Sequence, residues 1–263
     1  TPQPALTNLT ETLKCMGGKI NQSDMKGILL LVDDFYDGTV PVLSETRAAV
    51  LRQPRENGPL ADGGKYDADI VVSAAPSHIL KSLVQPFDAA LFELLDGIPY
   101  APMNVICFGY EREKIARDLD GFGYLIPKKE GCAILGTLWD SSIFPQRAPE
   151  GHVLLRSMMG GATNPAAIEL SDAEVRARTM AELQKIMGIE AEPDFVRIFR
   201  HQRAIPQYVV GHADRLVAIE DQLTHHHGLI LTGNAFFGVG LNDCVNAANQ
   251  AGEQVVSCLE KTD

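Results

Sequence analysis

Two glycines and an acid near the end of the chain have the spacing of a ligand cradle. Gly238, Val239 and Gly240 lead into Leu241, Asn242 and Asp243, and an alanine-rich run follows. A backbone without Cβ atoms lets a flat ligand lie close against it. Cys244, Ala248, Ala251, Val255 and Leu259 recur at helical spacing, with Asn242 or Asp243 where an N-cap would stand. A helix start carries partial positive charge and unpaired N–H donors, which suits an anion or the electron-rich edge of a heterocycle. Upstream, Gly233 and Asn234 tolerate turn dihedrals and end a short apolar run, 229–231, that suits a buried strand. The expected unit is strand, glycine loop and helix. The same pattern also fits an ordinary strand-to-helix connection in an α/β domain.

Other chemistries find little support. Ser73, Ser141 and Ser142 lie outside any G-x-S-x-G setting, and Cys244 opens a helix without a recognisable histidine partner. Asp243 reads as a cap rather than a catalyst, so no catalytic acid, base or nucleophile is expected. The five cysteines form no CxxC pair and sit mostly in apolar runs, as buried thiols of a reducing compartment would. His225, His226 and His227 are adjacent, so at most two could face one metal. A solvated turn is expected there, and no metal site. With 34 acidic and 23 basic residues the net charge is −11, and the absence of a basic cluster beyond Lys128-Lys129 argues against nucleic acid. The longest apolar run, 27–32, falls far short of a membrane span and no signal peptide stands out, which suggests a cytoplasmic chain, soluble or peripheral on a membrane. The sequence starts at Thr1 rather than Met, so its natural beginning is expected upstream.

The elements that would position the cradle read as follows. Leu6, Leu9, Leu13 and Met16 suggest a short helix, and 27–32 a strand or a buried helical turn. Residues 53–65, rich in Pro, Gly and charge, look like a hairpin-type connection. A strand ending at Ala75-Pro76 leads into helices at 79–83 and 87–95. Between Tyr100 and Arg203 the texture turns to β, with strands at 104–110, 123–126, 133–139, 153–159 and 195–201. Within it Ser171-Asp172-Ala173-Glu174 is a capping-box pattern that opens a helix closed by Gly188. A further helix over 211–223 returns to the strand before the cradle. The fold class is α/β of mixed α+β character, a partial α/β unit with a sheet-rich portion inserted between its two pieces.

Several local patterns occur in order. They are Asp67-Ala68-Asp69-Ile70-Val71-Val72-Ser73-Ala74-Ala75-Pro76, Gly121-Phe122-Gly123-Tyr124-Leu125-Ile126-Pro127, Ile134-Leu135-Gly136-Thr137-Leu138-Trp139-Asp140-Ser141 and Phe144-Pro145-Gln146-Arg147-Ala148-Pro149. Gly160-Gly161, then Ala204-Ile205-Pro206-Gln207-Tyr208 with Gly211-His212, and finally 233–244 complete the set. Together, over roughly 40–256, they resemble the C-terminal half to two-thirds of the oxygen-dependent protoporphyrinogen oxidase family, within the flavin amine oxidase superfamily. The resemblance implies an FAD enzyme that oxidises protoporphyrinogen IX to protoporphyrin IX late in haem synthesis, with oxygen as acceptor. It implies that Gly233, Asn234, Gly238, Val239, Gly240, Leu241 and Asp243 bind the flavin. It further implies that the sheet-rich portion walls the tetrapyrrole site, with Met158 in contact with the ring and Tyr100, Met103, Phe122 and Leu125 nearby. On this basis the chain divides into an unplaced segment 1–38, FAD-unit pieces 39–99 and 207–263, and a substrate portion 100–206.

The departures carry weight too. Nothing matches the strand, Gly-x-Gly-x-x-Gly and helix that hold FAD pyrophosphate, and no basic membrane-facing helical portion is recognisable. The chain is therefore expected not to hold FAD tightly alone, as a fragment, a truncated product, or one part of a complex whose missing N-terminal half or partner chain carries the dinucleotide fold. Two alternatives stay open: a related amine oxidase or desaturase, and a non-catalytic domain that keeps the shape without the cofactor.

Overall fold

The computed structural model describes two isolated strands, Ile28–Val32 and Ala49–Arg52, and residues 69–260. The helix expected from Leu6 to Met16 and the connection at 53–65 lie outside the described residues. The chain forms two compact units, one made of Thr1–Pro99 with Tyr208–Asp263, the other of Tyr100–Gln207.

The first unit begins with strands β1 (Ile28–Val32), β2 (Ala49–Arg52) and β3 (Ile70–Ser73). The first resolves the choice left open between strand and helical turn. Pro76 presets the entry to helix α1 (Ser77–Val84), which ends just before Pro86. Asp88 caps helix α2 (Ala89–Asp96), accepting from the Leu91 N–H at 2.8 Å. A second Asp88 oxygen lies 2.6 Å from His226 Nε2, so the triple-histidine segment is tied down at its centre rather than freely solvated.

The second unit contains β4 (Tyr100–Glu111), β5 (Gly123–Leu125), β6 (Gly136–Trp139) and the short helix α3 (Asp140–Ile143). It continues through β7 (His152–Gly160), α4 (Asp172–Met187) and β8 (Phe195–Pro206). The five strands form one antiparallel sheet in the order β5-β6-β7-β4-β8. Side chains alternate across it with period two. On β4 Ile106, Phe108 and Tyr110 are buried, while the residues between them are half-exposed. The buried face joins Leu155 and Met159 of β7 and packs with Val175 and Leu183 of α4 in one core. Each such side chain contributes roughly 1.5–3 kcal/mol of transfer free energy. Helix α4 has the full expected capping box between Ser171 and Glu174, and Gly188 closes it in the left-handed conformation.

Strand β8 runs on to Pro206 instead of stopping near His201. A proline costs nothing as the last residue of an edge strand, where no ladder hydrogen bond is required of it. Cys107, Cys132, Cys244 and Cys258 are half-buried rather than fully buried.

The chain then returns to the first unit through α5 (His212–Leu223), β9 (Leu229–Leu231) and α6 (Leu241–Glu260). Strand β9 completes a parallel sheet ordered β2-β1-β3-β9, pairing Val72 with Ile230 and Ser73 with Leu231. Near-continuous aliphatic runs suit such strands, which are covered on both faces. Gly228 makes the approach to β3 feasible, because a Cβ there would lie 2.3 Å from the Asp69 carbonyl oxygen. Ala251 and Val255 of α6 join Ile70, Val72 and Ile230 in the core. That packing fixes the helix and leaves its first turn just beyond the C-terminal end of β9, the end at which open α/β sheets bind ligands.

Candidate functional site

One side chain bridges the two ends of the loop between β9 and α6. The Tyr208 hydroxyl donates to the Asn234 carbonyl at 2.6 Å and accepts from the Gly238 N–H at 2.7 Å. Both bonds span the loop that carries the predicted cradle. The Tyr208 ring stacks on the His212 imidazole, with centroids 4.1 Å apart and planes inclined by 10°. Burial pushes the His212 pKa down, and a contact with the Phe236 backbone offsets part of this. A neutral ring is the form that fits there. Gly233, at φ 110°, sits against the end of β3, where a Cβ would meet the Ala74 carbonyl oxygen at 3.4 Å. Gly233 and Asn234 therefore shape the loop.

Helix α6 starts earlier than expected. The Gly240 carbonyl accepts the first helical bond, from the Cys244 N–H at 3.0 Å, so Gly240 is the N-cap instead of Asn242 or Asp243. Asp243 stands at the third helical position and turns back to accept from the Gly240 N–H at 3.1 Å, the acidic half of a capping box. This also gives the two glycines a different reason from the one expected. A Cβ on Gly238 would lie 2.4 Å from the Asp243 Cβ, and one on Gly240 would lie 2.8 Å from Asp243 Oδ2. The missing side chains make room for the Asp243 cap.

What the cap leaves open is informative. The N–H groups of Leu241, Asn242 and Asp243 have no acceptor among the described residues. Leu241 is 81% exposed, and Val239 beside it is also exposed. An open helix start with unspent donors, set on a braced loop, fits the electron-rich edge of a heterocycle.

In the second unit the strand registers align part of the predicted substrate set. Leu125 pairs with Gly136, Gly136 with Met158, Met158 with Val105, and Val105 with Phe199. Directly opposed residues share a face. Leu125, Met158, Val105 and Phe199 thus form one apolar row on the face opposite the α4 core, with Leu125 76% exposed. Phe122 is 74% exposed just before β5, its carbonyl accepting from the Trp139 N–H at 3.0 Å. Core packing is therefore ruled out for Leu125 and Phe122. Met103, by contrast, is only 6% exposed and belongs to the core, and Tyr100 opens β4 opposite Pro206 at the far end of the strand.

A second row, which no local sequence signal marks, runs beside the first. Leu138 opposes Arg156, Arg156 opposes Cys107, and Cys107 opposes Arg197. Arg156 Nη2 donates to Oδ1 of the buried Asp140 at 2.9 Å, and its Nε lies 2.9 Å from Oδ2. Burial raises the Cys107 thiol pKa, and the Arg156 guanidinium works against that rise. The Arg197 guanidinium lies 5.3 Å from the centre of the Phe199 ring and has no carboxylate partner among the described residues. Alternation on β4, β7 and β8 is visible in the sequence; the strand order that brings the three together is not.

A cleft of about 360 Å³ opens between α5, β9 and α6, with Leu216, Ile219, Ile230 and Phe236 in its wall. None of the predicted cofactor or substrate residues lines it. Among the described residues no group of His, Cys, Asp and Glu could hold a metal, and no helix is long and apolar enough to cross a membrane.

Comparison with known proteins agrees with the geometry. The chain is 32% identical over 204 residues to the chloroplastic protoporphyrinogen oxidase of Oryza sativa subsp. japonica, covering 74% of this chain and 38% of that protein. It is 28% identical to the coproporphyrinogen III oxidase of Bacillus subtilis (strain 168), covering 76% of this chain and 42% of the relative. A solved protein of Exiguobacterium sp. 255-15, provisionally named a protoporphyrinogen oxidase, superposes with a TM-score of 0.65 at 27% identity, covering 82% of this chain and 49% of its own. The chain thus spans less than half the length of these relatives. The sequence profile of the family described as flavin-containing amine oxidoreductase matches residues 11–256, reaching well before position 40, where the recognisable resemblance begins. On that match the chain belongs to the flavin-containing amine oxidoreductase family.

Proposed function

We propose that this chain supplies flavin- and substrate-contacting parts of an oxygen-dependent protoporphyrinogen oxidase, which converts protoporphyrinogen IX to protoporphyrin IX in haem synthesis. The observation that carries the reading is the open start of α6, with three backbone donors that have no acceptor among the described residues, on a loop braced by Tyr208. In this account the N–H groups of Leu241, Asn242 and Asp243 face the pyrimidine edge of the flavin, and Gly238, Val239 and Gly240 form the floor beside it. FAD, when bound, supplies the hydride acceptor. Fixed donors at that edge favour added negative charge on the ring, since they need no reorganisation as it develops. The protein's task is then positioning and electrostatics, which agrees with the lack of an obvious acid–base set.

Residues 39–99 and 207–263 contribute to the flavin unit in this reading, and 100–206 to the substrate wall. The apolar row through Leu125 and Met158 offers a surface suited to the body of a tetrapyrrole. The rice relative is named for protoporphyrinogen and the Bacillus relative for coproporphyrinogen III, so the porphyrinogen class is what the two share. The test is anaerobic. FAD is added to the purified protein, then protoporphyrinogen IX, and bleaching of the flavin absorption band is followed. Bleaching faster than with free FAD is expected. An unperturbed flavin spectrum together with a rate equal to that of free FAD would overturn the proposal.

A further inference from the structure

The guanidinium row on the open sheet face is the feature that the reading so far leaves unused. The chain carries a net charge of −11, yet the row Leu138–Arg156–Cys107–Arg197 holds two arginines and no carboxylate. Asp140, which pairs with Arg156 in this row, is buried and spent on that arginine. Arg197 has no carboxylate partner among the described residues and lies over the exposed Phe199 ring, an arrangement that holds a planar guanidinium in place while leaving its outer N–H edge open.

The spacing adds to this. Arg156 and Arg197 stand on β7 and β8 with β4 between them, so their backbones are about 10 Å apart. They are offset along the strands from the apolar row by two residues, or about 7 Å. An amphiphile whose flat apolar body rests on Leu125, Met158 and Val105 would bring acidic substituents on one edge over the arginines. Porphyrinogens have this form: a broad macrocycle with propionate chains a few bonds from the ring.

Resting on the porphyrinogen reading above, we propose that the Arg156–Cys107–Arg197 row is a carboxylate-binding site that takes propionates from one edge of the substrate macrocycle. Arg197 provides the free cation. Arg156, neutralised by Asp140, provides directed N–H donors without a second net charge. The substrate class this favours is a porphyrinogen with free carboxylates on the sheet-facing edge. A propionate on every ring, as in coproporphyrinogen III, meets the row however the macrocycle is turned, whereas protoporphyrinogen IX meets it only with its propionate edge.

The test uses stable porphyrins as probes and the whole chain. Binding of protoporphyrin IX, its dimethyl ester and coproporphyrin III is measured by porphyrin fluorescence for the wild type and for Arg197→Gln, Arg197→Lys and Leu125→Asp. A charge-assisted contact predicts that protoporphyrin IX binds about tenfold more tightly than its ester, and coproporphyrin III at least as tightly as protoporphyrin IX. Arg197→Gln should remove most of the acid-over-ester preference, and Arg197→Lys should restore part of it. Leu125→Asp should weaken acid and ester alike. Equal binding of acid and ester, or a preference that survives Arg197→Gln, overturns the carboxylate site while leaving the apolar wall intact. No binding of any porphyrin overturns the wall and the site together.

Discussion

Replacing Tyr208 by Phe removes one hydroxyl and leaves the ring on His212. The hydroxyl makes two bonds, to the Asn234 carbonyl and from the Gly238 N–H. A neutral hydrogen bond contributes about 0.5–1.5 kcal/mol net. Tyr208 is 43% exposed, so water competes for both partners and the lower end applies, about 1 kcal/mol for the pair. That corresponds to roughly a fivefold change in a local opening equilibrium. The assay is amide hydrogen exchange read at Gly238, whose only acceptor among the described residues is this hydroxyl. Exchange at Gly238 should speed up about fivefold, while the amides of β9, held by ladder bonds to β3, stay unchanged. Because the ring is kept, a packing loss cannot imitate the result. Unaltered protection at Gly238 would show that the brace does not hold the loop, and the account of how the start of α6 is positioned would fail.

Three other outcomes follow from the same contacts. Gly240→Ala puts a Cβ 2.8 Å from Asp243 Oδ2 and should remove the capping bond, lowering stability in urea by about 0.5–2 kcal/mol. Asp243→Ala should lose a similar amount and the double variant little more, so full additivity would refute the shared mechanism. Pro206→Ala should cost stability before activity, about 0.4–1 kcal/mol through the unfolded chain, and an unchanged denaturation midpoint would count against it. The depressed His212 pKa sets a pH dependence. The folded state holds this ring neutral, so its contribution is complete above the unfolded value of about 6.5 and is lost as pH falls below it toward the folded pKa. A midpoint that declines as pH falls below about 6.5, and a flatter profile in His212→Gln, are expected; identical profiles would contradict this.

Local signals in the sequence were reliable where one short segment decides the outcome. Leu229–Leu231 is a strand with the expected bounds, and the Ser171–Glu174 capping box forms as its spacing requires. Errors arose where a distant partner decides. Asn242 and Asp243 are the better N-cap types, yet Gly240 takes the position because Asp243 serves the loop from within the helix. Met103 reads like the other candidates of the substrate wall but is buried, next to a register shift in the β4–β8 pairing. Tyr208 lies 30 residues before Gly238, and nothing local announces that its hydroxyl meets that amide. The Arg156–Arg197 row needs the order β7-β4-β8, which a pattern of alternation does not contain.

The most direct test of the central claim is a map of backbone amide resonances during titration with FAD, which detects even weak binding. The account predicts that the amides of Leu241, Asn242 and Asp243 shift first and furthest, with smaller effects at 238–240. Saturating FAD that leaves those three amides unmoved, or that shifts a different surface, would contradict it.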